Sequence, residues 1–174
     1  MNRDYPSSIT AYQEVLEIYE STTPEGTNVF IALNDLAGAE RENKDYISAE
    51  RDYRAALRIA KKNNHQEGIA EYTGNLAALA LDREQWAEAE SLAREALALA
   101  EKVGRQELIA SDCHRLAKAL LKQNVGQIAN LTSLQEALPL SRRAVEIFTR
   151  LKSPGLQSAQ ETLAEIERAV NSNQ

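Results

Sequence analysis

Cys113 and His114 are the adjacent pair in this chain with the groups for covalent chemistry, a thiolate nucleophile beside an imidazole base. Their surroundings argue against that use. The stretch around them reads as helix, and consecutive residues on a helix point about 100° apart. Cys113 also falls in register with Thr73 and Leu33, on the packing side, so a buried structural thiol is the expectation. Carboxylate pairs such as Glu161/Glu165 and Glu88/Glu90 read as solvated helix faces rather than acid/base pairs. His65 and His114 are the only histidines, and no GxxxxGK[ST], HExxH or GxSxG sequence or paired Cys/His spacing occurs. No residue is therefore assigned a catalytic or metal-ligating role, no cofactor is expected, and the chain is not read as an enzyme.

The elements that would position any functional residue are helices. The chain has 174 residues, 43% of them hydrophobic and rich in Ala and Leu, with 7 Gly and 4 Pro that fall mostly at helix ends. No strand-like alternation of Val, Ile and Thr appears, so the fold class is all-α. A net charge of −6 argues against a nucleic-acid footprint, which needs a basic patch. No apolar run approaches the ~20 residues of a membrane span, and the first residues have no apolar signal core. Asn130-Leu131-Thr132 matches a glycosylation sequon and, without a secretory signal, is read as chance. A single cysteine fits a reducing compartment, so a cytoplasmic location is expected.

The organising stretch is 70–100, where small and apolar residues recur three and four apart in two runs broken by Asp82-Arg83-Glu84-Gln85. That spacing predicts two amphipathic helices joined by a polar turn. Ala77, Ala89 and Ala96 would let helix backbones approach, with Leu76, Trp86, Leu92 and Leu97 filling the space around them. The pattern repeats. Tyr46-x-x-Ala49-x-x-x-Tyr53-x-x-Ala56-Leu57 matches Trp86-x-x-Ala89-x-x-x-Ala93-x-x-Ala96-Leu97, and Leu36-Ala37 matches Leu76-Ala77, both at an offset of 40. Tyr5-x-x-Ser8-x-x-x-Tyr12-x-x-Val15-Leu16 repeats the second half 41 positions earlier. A further copy opens at Leu116-Ala117 and closes at Leu134-x-x-Ala137-x-x-x-Ser141-x-x-Ala144-Val145. A period of this size signals a solenoid.

These residues resemble the tetratricopeptide repeat family, in a longer-helix variant with a spacing of about 40 against the common 34. The resemblance rests on Ala70, Glu71, Asn75, Leu76, Trp86, Glu88, Ala89, Ala96 and Leu97, and on Leu36, Ala37, Asp45, Tyr46, Ala49, Tyr53, Ala56 and Leu57. It implies a right-handed α-solenoid of antiparallel helix pairs, about eight helices in all. Residues 1–22 then form the second helix of a truncated repeat, with Asp4 as its cap; 23–64, 65–104 and 105–152 are three repeats; 153–174 is a capping helix. Thr23-Pro24 and Ser153-Pro154 read as helix starts. The third repeat carries about eight extra residues near 123–132, expected as a longer loop or a contact lid, and Pro139 should bend the next helix or delay its regular part.

The resemblance implies that the first helix of each repeat faces a concave groove binding a protein or peptide. Its inner stripes are Ile31, Asn34, Gly38 and Arg41; Glu71, Gly74, Ala78 and Leu81 with Asn75 beside them; and Ser111, His114, Lys118 and Lys122 with Arg115 beside them. Gly38, Gly74 and Ala78 would leave the middle wide and shallow. Asn34 and Asn75 could hold a peptide main chain. Arg41 at one end and His114, Lys118 and Lys122 at the other would favour an acidic ligand, with Glu71 opposed. The carboxylate clamp by which some relatives hold chaperone tails maps to Asn34, Gly38, Asn75, Ser111 and Arg115; two of its positions agree and both lysines are missing, so that ligand is not expected. Two other roles are consistent with the sequence: a sensor segment of a larger signalling ATPase, motivated by a chain that begins mid-repeat, and self-association through Ile9, Tyr12, Val15, Leu16 and Ile18 of the first helix.

Overall fold

The computed structural model describes residues 5–123 and 131–172, and among them eight helices and no strand. They are α1 (Tyr5–Thr22), α2 (Thr27–Glu42), α3 (Tyr46–Lys62), α4 (Gln66–Asp82), α5 (Trp86–Val103), α6 (Gln106–Gln123), α7 (Leu131–Leu151) and α8 (Leu156–Asn171). Each helix packs on its neighbours in sequence, and α4 also touches α6, and α6 touches α8. The even-numbered helices therefore form one layer and the odd-numbered helices another, which is the helical solenoid that the period requires.

Alanine sets the distance between layers. Ala37, Ala77 and Ala117 on the even helices, and Ala49, Ala89 and Ala137 with Ala56, Ala96 and Ala144 on the odd ones, are all without solvent contact. A methyl group at these points lets the helices approach closely while Leu and aromatic residues interlock around them. Tyr53, Leu76 and Leu79 pack with Ala37 and Ala49 in one such cluster; Leu116, Leu120, Leu134 and Ile166 surround Ala117 and Ala137 in another. Across the odd layer the helices are joined by ion pairs, Arg94 with Glu136 at 2.5 Å and Arg143 with Glu101 at 2.5 Å.

The turns keep a stricter period than the helices. Lys44, Asn64, Glu84 and Gly104 all have positive φ, and their positions advance by a constant 20. After the first three, the next residue's N–H closes back on the helix, Asp45 on Glu40, His65 on Ala60 and Gln85 on Ala80, each at 2.9 Å. Lys152, with Ser153 bonded back to Phe148 at 3.0 Å, repeats the device before α8. This left-handed stop satisfies helix-end carbonyls and reverses the chain within three residues. Asp45 then caps α3 by accepting from the Ser48 N–H at 3.2 Å, and His65 Nδ1 caps α4 by accepting from Gly68 at 2.9 Å.

Several boundaries differ from the sequence expectation. Thr23-Pro24 does not open α2: Thr23 accepts from the Gly26 N–H at 2.9 Å in a turn, and the helix starts at Thr27. Ser153-Pro154 does the same before α8, with Leu156 bonded to Ser153 at 3.2 Å. In both turns proline takes the second position, where its fixed φ fits. Pro139 does not delay α7, which runs from Leu131 to Leu151 with the proline inside it. Of the expected insertion at 123–132, Gln123 ends α6 and Leu131 and Thr132 begin α7; residues 124–130, and Asp4, lie outside the described residues.

Candidate functional site

The face shared by α2, α4 and α6 carries most of the residues expected to bind, and it is built as a ladder. Asn75 on α4 donates to Asn34 Oδ1 on α2 at 2.8 Å and accepts from the Arg115 guanidinium on α6 at 3.3 Å. Arg115 also donates to Asp112 Oδ1 at 2.6 Å. Asp112 is fully buried, its second carboxylate oxygen has no partner, and burial pushes its acid up to about 6 against the pull of Arg115. The ladder is thus one side chain wide and joins three consecutive even helices.

Gly74 is where the sequence reading fails. It was expected to line an open groove, yet it is buried, and a Cβ there would lie 2.5 Å from Asp112 Oδ1 and 2.7 Å from Arg115 Nη1. The space a side chain would take is filled from the next helix. Gly38 differs: the nearest atom to a Cβ there is the Tyr53 hydroxyl at 3.7 Å. Leu81 is buried, Ala78, Ser111 and Glu71 are half-buried, and Ile31 is exposed. The Glu71 carboxyl is pushed above its usual range by burial and by Asp35 and Glu67 nearby.

The cations gather rather than flank. Arg41, His114, Arg115 and Lys118 line a single cleft with Ala78, Leu81 and Asp82, about 220 Å³ in volume. They are not equally available. Arg41 pairs with Asp82 at 3.1 Å, and Lys122, outside this cleft, pairs with Glu165 of α8 at 3.0 Å. His114 Nε2 lies 3.0 Å from the Thr162 hydroxyl of α8, and burial with Lys118 and Arg115 beside it pushes its pKa down to about 4. It is therefore neutral at pH 7 and adds no charge. Lys118 has no ion-pair partner among the described residues, which makes it the cation most open to an incoming anion.

Asp82 and Asp112 belong to this face, the Tyr53 hydroxyl of α3 reaches it beside Gly38, and none of the three is among the residues expected to bind. Asp82 stands 41 positions after Arg41, the offset that also relates Asn34 and Asn75, so a search for polar pairs at the repeat distance would have found it. Asp112 carries no such signal, since a buried carboxylate sits where Tyr72 sits one repeat earlier.

Cys113 is fully buried, with its thiol pushed up to about 11 by burial, and it neighbours Arg143 of α7 while His114 reaches α8. The two do not form a nucleophile–base pair. Among the described residues no group of three or more His, Cys, Asp or Glu is placed to hold a metal ion, and no helix is long and apolar enough to cross a membrane.

Residues 28–102 match the tetratricopeptide repeat family model. No curated protein matches the sequence. Among solved structures, the TPR-like repeats of a kinesin light chain from Podosopora anserina superimpose with a TM-score of 0.71, at 21% identity, over 97% of this chain and 80% of that one. A single-substitution variant of those repeats gives 0.72, at 21% identity, over 97% and 79%. BtubC (BKLC) from P. vanneervenii gives 0.72 at 20% identity, over 97% of this chain and 67% of its own. Residues 28–102 thus carry the tetratricopeptide repeat pattern, and the flanking helices continue the same all-α solenoid.

Proposed function

We propose that the chain is a protein-interaction scaffold whose α2–α4–α6 face is a concave groove for a segment of a partner protein. The observation that carries this reading is the cleft where Arg41, Arg115 and Lys118 converge beside the Asn34–Asn75 ladder. Arg41 and Arg115 are held by Asp82 and Asp112, so they present guanidinium edges in fixed positions, while Lys118 supplies charge that is not already neutralised. An acidic side chain or a carboxylate terminus on an extended segment would meet Lys118 first. Asn34 and Asn75 retain amide N–H groups for its main chain. The repeat division 23–64, 65–104 and 105–152, closed by 153–174, is part of the same reading. The solved repeats of similar fold come from chains named as kinesin light chains, which fits a scaffold.

The test is affinity capture from the source lysate with the native chain, Lys118→Glu, and Glu146→Lys on the opposite layer. A partner kept by the native chain and Glu146→Lys but lost from Lys118→Glu supports the groove. A partner held equally by all three overturns it.

A further inference from the structure

Arg41 and Arg115 both line the α2–α4–α6 cleft and each is held by a carboxylate, but the two carboxylates differ in kind. Arg41 pairs with Asp82 at 3.1 Å, and the Asp82 side chain is 41% exposed. Arg115 pairs with Asp112 at 2.6 Å, and the Asp112 side chain is 0% exposed. Water shares in holding the charge on Asp82. The charge on Asp112 leans on Arg115, because its second oxygen, Oδ2, has no partner.

The repeat does not need this acid. At offsets of 40, Asp112 falls in register with Tyr72 and Ala32, which are buried in the core. Its room comes from Gly74, where a Cβ would lie 2.5 Å from Asp112 Oδ1 and 2.7 Å from Arg115 Nη1. Gly74 itself stands where the flanking repeats carry Asn34 and His114. The third repeat thus sets a buried acid behind a guanidinium at the cleft wall, at a position that the other two fill with Tyr and Ala.

Burial disfavours the ionised carboxyl and, against the pull of Arg115, lifts the acid to about 6. Asp112 is therefore ionised at pH 7.5 and mostly protonated at pH 5.5. Ionised, it cancels the charge of Arg115. Protonated, it is a neutral acceptor, and Arg115 carries its full charge into the cleft. The surrounding charges are otherwise engaged. On α6, His114 is neutral over that interval, its pKa being about 4. Glu101 of α5 pairs with Arg143 of α7 at 2.5 Å, and Glu165 of α8 pairs with Lys122 at 3.0 Å. Glu67 of α4 pairs with Arg105 at 2.7 Å. Asp35 of α2 and Glu71 of α4 are also pushed upward by burial, and Glu71 feels Arg115, so it needs its own control.

We propose that Asp112 is a positioning residue that gates the charge of Arg115. When the buried carboxyl takes a proton, the guanidinium is released to the cleft, and an acidic segment of the partner binds more tightly in mildly acid than in neutral medium. This inference rests on the groove reading above, and its test separates the two.

The probe is a rhodamine-labelled tetra-aspartate peptide, which stays ionised from pH 5.5 to pH 7.5, titrated into the full chain by fluorescence anisotropy. Affinity should rise about fivefold from pH 7.5 to pH 5.5, which is roughly what a tenfold preference for the protonated form gives. Asp112→Asn keeps the shape without the charge, so it should bind close to the pH 5.5 level at both pH values. Glu71→Gln should retain the ratio between them. A flat profile in the native chain, or the native profile in Asp112→Asn, overturns the gate and leaves the groove standing. Lys118→Glu should weaken binding at both pH values, and native affinity in that variant overturns the groove reading and the gate with it. So does no binding of the peptide at about 1 mM and pH 5.5. Calorimetry supplies a reading that does not depend on how well Asp112→Asn folds. At pH 6.5, in two buffers of different ionisation enthalpy, binding should take up a fraction of a proton in the native chain and in Glu71→Gln alike. No uptake in Glu71→Gln overturns the assignment to Asp112.

Discussion

Asn75 hands its amide N–H to Asn34 across 2.8 Å while accepting from Arg115 with its oxygen, so one side chain 41 positions from its partner ties three helices together. The amide is used in both senses, which fixes its orientation. The α2–α4–α6 face is therefore ordered by its own side chains, and its polar residues are structural.

Asn75→Ala removes both bonds at once. The neutral bond to Asn34 is worth about 0.5–1.5 kcal/mol net and the longer, charge-assisted one from Arg115 adds to it, so a loss of about 1–3 kcal/mol is expected in urea unfolding. Arg115 keeps its Asp112 contact at 2.6 Å, which limits the damage. A variant as stable as the native chain would mean that the ladder is incidental.

Gly74→Ala sets two effects against each other. Alanine in a helix interior gains about 0.5–1 kcal/mol over glycine. Here its Cβ would lie 2.5 Å from a carboxylate that is itself fully buried and has nowhere to move. Overpacking of that kind costs about 1–3 kcal/mol, so destabilisation wins. The reversal is the sharper check. In an Asp112→Ala background the carboxylate is gone and the end of Arg115, 2.7 Å from the added Cβ, is released to swing aside, so the same substitution should stabilise.

The packing of this molecule was legible in its sequence and the groove was less so, for identifiable reasons. Ala37, Ala77 and Ala117 recur because the same close approach recurs, and Cys113 was placed in the core by register alone. Gly74 has the same spacing as an open groove position, and only the neighbouring helix shows that Asp112 and Arg115 fill it. His114 and Lys122 read as groove cations because their partners on α8, Thr162 and Glu165, lie at offsets of 48 and 43, outside the 40-residue register. The left-handed stops went unread because three of the four in the 20-residue series are not glycine.

Glu84 makes those stops testable. Its φ of 59° places a β-carbon in the left-handed region, where an L-residue is strained. Glu84→Gly should stabilise the chain by about 0.5–1 kcal/mol, a rise of about 2–4 °C in melting temperature at most. Gly104→Ala is the mirror test. Nothing lies within 4 Å of a Cβ there, so any loss comes from the backbone at φ 77° alone. Equal stability of native and Gly104→Ala chains would remove the argument for both sites.

Two buried titratable groups should tilt stability in opposite directions with pH. Glu40 is buried between α2 and α3 with Oε2 unpartnered, and burial together with Asp52 pushes its acid from 4.5 up to about 7. A raised carboxyl holds its proton more tightly in the folded state, so its contribution is full below 4.5 and is lost as pH rises through about 7. At 1.36 kcal/mol per unit the loss is at most about 3 kcal/mol. Glu40→Gln keeps the shape without the charge, so the variant should gain on the native chain as pH rises from 4.5 to 8. His114 works the other way. Its pKa falls from 6.5 to about 4, so the unfolded chain takes up the proton first and stability is lost as pH drops through that interval. His114→Gln should therefore gain on the native chain toward acid, where Glu40→Gln loses its advantage. Urea unfolding of the three chains from pH 4 to pH 8 gives two difference curves of opposite slope; parallel curves would mean that neither group is buried as the fold places it.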